Sequence, residues 1–128
     1  NEQAISLLEK QKQLKPTSQV ININLANVYI EAGQPEKSIP LLEEQIFLDK
    51  QNQLPFFLLS DAYMKTGNKA MEHFAKAESM ALGANYKAAI EQLNFAYRLT
   101  EDNPLQLARI GARIRQFKLA NKVLEALK

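Results

Sequence analysis

The strongest constraint on the fold is a repeat at a spacing of 34 residues. Leu25 recurs as Leu59, Tyr29 as Tyr63, Ile30 as Met64, Gly33 as Gly67 and Gln34 as Asn68. Ala26 is matched by Ser60, Ala4 by Ser38 and Leu8 by Leu42. A unit this short cannot bury a core alone, so such units must stack. Pro16, Gly33-Gln34-Pro35, Gly67-Asn68, Gly83-Ala84-Asn85 and Asn103-Pro104 cut the chain into segments of about 14–17 residues. Within the segments the apolar residues follow helical spacing: Leu25, Ala26, Tyr29 and Ile30; Ile39, Leu42 and Ile46; Ile90, Leu93, Ala96 and Tyr97. Only Val20 to Leu25 alternates as a strand would, and the helical stripe runs through it to Ile30. Seven helices are therefore expected, near Glu2–Leu14, Ser18–Ala32, Pro35–Asp49, Leu54–Thr66, Lys69–Leu82, Tyr86–Leu99 and Pro104–Leu127. Ser18 and Asn103 are placed to cap helix N-termini.

A large apolar residue, a small residue and a tyrosine on one helix, a turn glycine, then small and large apolar residues and a proline resemble the tetratricopeptide repeat. The resemblance implies an all-α, right-handed solenoid of helical hairpins. On this reading residues 1–128 are a single domain. Residues 1–18 are the second helix of a partial repeat and 19–52 the best repeat. Residues 53–102 hold degenerate repeats, and 103–128 a long basic closing helix. The degeneracy is specific. In the second helix after Gly67 the small and large apolar positions fall on Glu72 and Lys76. Good spacing returns only at Tyr86, Ala89, Leu93 and Ala96. Pro35 and Tyr86 hold the same repeat position but lie one and a half periods apart. The register thus slips by half a repeat, and Lys69–Leu82 is expected to serve the units on both sides, with Ala77 as its small residue.

The chain also resembles a narrower family. Asn52-Gln53-Leu54-Pro55, Ala62-Tyr63 through Ala70, Tyr86 through Leu93 and the tail Gln106 through Arg115 read in series like the C-terminal repeat region of the periplasmic beta-barrel assembly-enhancing proteases. That resemblance implies a periplasmic location and a zinc metalloprotease domain elsewhere in the parent chain. It implies as partners that protease domain, barrel-assembly components and misfolded outer-membrane proteins. The H-E-x-x-H helix of such a protease is absent: His73 follows Glu72, and there is no second His. The chain begins at Asn1, without Met or a signal-peptide pattern, as a piece of a longer protein would. The expectation is a non-catalytic recognition module with no cofactor of its own. A generic scaffold of another assembly and a self-associating module remain as alternatives.

In tetratricopeptide solenoids the first helices line the concave face. The resemblance places Val20, Ile23, Asn27, Ile30 and Glu31 there, then Leu54, Phe57, Asp61, Met64 and Lys65. Polar Asn27 and Asp61 amid apolar residues suit an extended peptide, whose backbone they can bond while the apolar groups take its side chains. Asn24 and Asn27 occupy positions of a carboxylate clamp, but Ile23, Leu54 and Leu58 stand where its cations belong. A terminal carboxylate would be desolvated unpaired there, so no clamp is expected. Of the adjacent phenylalanines, Phe56 is expected in the core and Phe57 on the groove. On the closing helix, Leu107, Ile110, Ile114, Phe117, Asn121 and Leu124 form one stripe, with Arg109, Arg113, Arg115, Lys118 and Lys122 mostly off it. That helix can cap the solenoid or dock an acidic partner.

Composition closes off other functions. Without Cys there is no disulfide scaffold and no thiolate metal site, and one His cannot make a multi-His zinc site. No apolar run approaches the ~20 residues of a membrane span. The net charge of +2 offers no overall case for nucleic acid. It is a sum of unlike parts: residues 1–102 carry ten positive and thirteen negative groups, residues 103–128 six and one.

Overall fold

A computed structural model describes residues 2–128. Seven helices follow one another: α1 (Glu2–Leu14), α2 (Gln19–Glu31), α3 (Pro35–Leu48), α4 (Gln53–Thr66), α5 (Lys69–Leu82), α6 (Tyr86–Leu99) and α7 (Pro104–Ala126). The chain is an all-α helical-repeat solenoid, in which each helix packs on the next and α2 also touches α4. The Val20–Leu25 alternation is helical, within α2.

Side chains at the breaks explain the helix starts. Ser18, Asn52, Asn68, Asn85 and Asn103 each accept a backbone N–H from the first turn of the helix that follows. This satisfies donors the helix itself leaves orphaned. Gly33 and Gly67 end α2 and α4 in the left-handed region, at φ +78° and +82°. The third turn departs from that pattern, because Ala84, at φ +60°, carries the left-handed conformation and Gly83 does not. Gly83 has another constraint: a Cβ there would stand 3.2 Å from Gln53 Nε2, which donates to the Ser79 carbonyl at 2.6 Å.

Two apolar clusters fill the solenoid. The first joins α2, α3 and α4 through Leu25, Ala26, Leu41, Leu42, Leu59 and Ala62. The second joins α6 and α7 through Ala89, Leu93, Ala96, Ile110 and Phe117. Helix α5 belongs to both, giving Ala75 to the first and Ala77 to the second. Alanines at these crossings let helices approach closely, and larger neighbours fill the remaining space.

Helix α1 joins the first cluster through Ile5 and Leu8 and is also tied to α2 by polar contacts. Asn22 is fully buried. Its amide donates to the Pro16 carbonyl at 3.0 Å and accepts from Lys12 Nζ at 2.9 Å. Tyr29, 6% exposed, donates its hydroxyl to Glu9 at 2.6 Å. Burial first, then the bond to Glu9 and its charge, push the Tyr29 phenol up to about 12. The sign follows from linkage. A phenol whose folded value lies above its unfolded one contributes stability below pH ~10 that is lost as pH rises through the folded value. Burial, then the charge of Glu43, also raises Tyr63. We therefore expect a phenolate absorbance titration to show a late step that the Tyr29→Phe variant lacks. A titration identical in the two proteins would contradict the buried Tyr29–Glu9 bond.

Candidate functional site

The concave residues expected from the sequence divide into three groups. Phe57, Asp61 and Met64 come together in a cleft of about 640 Å³ between α4 and α5, where they meet Glu72, Lys76 and Met80. Their side chains are available: Phe57 is 65% exposed and Met64 50%. Ser60 fixes the relation of the two helices by donating its hydroxyl to the Glu72 carbonyl at 3.0 Å. Asp61 already has a partner on its own helix, Lys65, at 3.5 Å. The same holds for Asn27, whose amide donates to Glu31 at 3.5 Å.

Val20, Asn24, Asn27 and Glu31 on α2 and Leu54 and Lys65 on α4 are exposed, and Ile23 is half-buried, but none of them lines that cleft. Ile30 is a correction. It is 3% exposed and sits in the first apolar cluster with Leu59 and Ala62 of α4, so no ligand can reach it. Its repeat equivalent Met64 remains open because α4 has no further helix packed on it as α4 packs on α2. Phe56 also differs from expectation. It is half-buried, and it lines clefts on another side of the molecule instead of filling the core.

On α7 the apolar stripe faces inward: Ile110 and Phe117 are buried, and Leu107, Ile114, Asn121 and Leu124 are half-buried. Arg109, Arg115, Lys118 and Lys122 are exposed. Arg113 is the second correction, because it is engaged internally and is no free docking charge. Its guanidinium donates to both carboxylate oxygens of Glu78 at 2.7 Å and to Gln116 at 2.8 Å, and lies 4.5 Å over the Phe117 ring. The two bonds to Glu78 hold the guanidinium further above its already high value. Sequence reasoning had no sign of this pair, since Glu78 and Arg113 lie 35 positions apart on different helices.

The family profile described as a tetratricopeptide repeat matches residues 1–54. The beta-barrel assembly-enhancing protease of Escherichia coli K12 is 34% identical over 116 residues, 91% of this chain and 24% of that protein. The protein of the same name from Yersinia pestis is 32% identical over 119 residues, 93% of this chain and 24% of its own length. The tetratricopeptide-repeat match thus covers the first 54 residues of the chain. A putative beta-barrel assembly-enhancing protease of Vibrio cholerae is 36% identical over 97 residues, 76% of this chain. The repeat protein is thus homologous to part of these proteases and spans about a quarter of the length of the first two.

Among the described residues no group of three or more His, Cys, Asp or Glu side chains is placed to hold a metal ion. His73 instead bonds Gln92 through Nδ1 at 2.7 Å and lies 5.3 Å from the Phe95 ring, joining α5 to α6. Among the described residues no helix is long and apolar enough to cross a membrane. The α4–α5 cleft sets the apolar side chains of Phe57 and Met64 beside the Asp61 carboxylate, which pairs with Lys65.

Proposed function

We propose that this chain is the non-catalytic recognition module of a periplasmic zinc metalloprotease that acts in outer-membrane beta-barrel assembly and quality control. It takes extended segments of misfolded barrel proteins or of barrel-assembly components in the α4–α5 cleft. The observation that carries this reading is the exposure of Phe57 and Met64 beside Asp61, Glu72 and Lys76 in one cleft. Exposed aromatic and thioether groups at the mouth of a pocket favour binding of apolar side chains, and the charged groups fix orientation. The homology to beta-barrel assembly-enhancing proteases supports the setting. The catalytic chemistry then resides in another part of the parent protein, and the chain with added zinc is expected to cleave nothing.

The test is a double variant, Phe57→Ala with Asp61→Ala. Phe57 is mostly solvent-exposed and Asp61 pairs with Lys65 on its own helix, so the fold should survive. We expect affinity for an unfolded outer-membrane barrel protein to fall by about tenfold or more, with melting unchanged. Unchanged affinity in a normally folded variant removes the cleft from the mechanism.

A further inference from the structure

We propose that the repeat protein carries a second recognition cleft, opening on the opposite side of α5, whose occupant is an extended peptide with an acidic group and large apolar side chains. Helix α5 is the pivot. Glu72, Lys76, Ser79 and Met80 face the cleft already described, whereas Glu78, Ala81 and Leu82 face another. At 100° per residue the two sets point about 150° apart around the helix. A half-repeat slip has this consequence. A helix that closes one hairpin and opens the next must present its ligand-facing side in opposite directions to the two registers.

The second cleft holds about 580 Å³. Its floor is the C-terminal half of α5. One wall is Ile46, Lys50 and Phe56 of α3, α4 and the turn between them, and the other is Tyr86, Phe117 and Ala120 of α6 and α7. It continues along α7, because a neighbouring apolar groove shares Tyr86, Gln116 and Ala120 with it and runs on to Leu119, Val123 and Leu127. Those three are 64%, 56% and 79% exposed. From Arg113 to Leu127 the track measures about 21 Å, which about six extended residues would span.

Charge selects the occupant. Among the described residues Glu78 is the only carboxylate lining the second cleft, and Arg113 neutralises it with two bonds. Among the described residues Lys50 has no ion-pair partner, and it lies 5.9 Å over the Phe47 ring. The cleft is therefore net positive, beside a closing segment with six positive groups and one negative. The first cleft is lined by two carboxylates, Asp61 and Glu72, and one ammonium, Lys76. An acidic group on the peptide meets Lys50, and its apolar side chains follow the track along α7.

The experiment is fluorescence anisotropy on the 128-residue chain. The probe is a labelled, capped hexapeptide with aspartate at one end and leucine and phenylalanine in the remaining positions. Lys50→Glu and Val123→Asp, both at exposed positions, should each weaken binding by about tenfold, and Phe57→Ala in the opposite cleft should not. A probe with lysine in place of aspartate should bind about tenfold more weakly than the acidic one. Three outcomes overturn the proposal: no binding of the acidic probe, affinity indifferent to Lys50→Glu and Val123→Asp, or loss through Phe57→Ala alone.

Discussion

Leu93→Ala is expected to cost the chain about 2–5 kcal/mol and to unfold one half of it ahead of the other. Leu93 is fully buried at the centre of the second cluster, against Ala89, Ala96, Ile110 and Phe117. Its neighbours are rigid parts of helices, so the cavity left by truncation cannot collapse. Among the described residues the first cluster shares no side chain with it, and α5 gives Ala75 to one and Ala77 to the other. Solenoid stability is approximately a sum of unit and neighbour terms. Amide exchange should therefore accelerate across α6 and α7 and stay slow in α2 and α3. Uniform acceleration along the whole chain would show that the two clusters melt as one.

The local level of this structure was legible in the sequence, and the reasons are local. Asn, Ser, Gly and Pro mark the helix ends because each acts on its own backbone, so all seven helices lie within a residue or so of expectation. Leu25 and Leu59, one period apart, are both buried for the same reason in the same place. What could not be read was which flank of a helix the rest of the chain covers. Ile30 and Met64 are repeat equivalents, yet one is 3% exposed and the other 50%, because α4 lies over α2 and no helix covers α4 in that way. Phe56 illustrates the same limit. Adjacent phenylalanines on a helix must face different ways, but only the arrangement of α3, α5 and α7 decides that Phe56 lines a cleft. Ala84 takes the left-handed turn position, and Gly83 stands one step earlier against the Gln53 side chain.

The Arg113–Glu78 pair sets how firmly α7 is tied to α5, and its two sides are not equivalent. The Glu78 side chain is 11% exposed and that of Arg113 39%. Removing Arg113 strands the more buried charge, and removing Glu78 leaves a guanidinium that can turn to water while keeping its contact with Phe117. Arg113→Met should therefore cost about 2–3 kcal/mol, below the value for a fully buried pair because one partner reaches solvent. Glu78→Gln should cost about 1 kcal/mol. Chemical denaturation of the two variants beside the parent chain measures both losses directly. A loss for Arg113→Met no larger than that of Glu78→Gln would mean that the apolar stripe of α7 holds the closing helix without help from the ion pair.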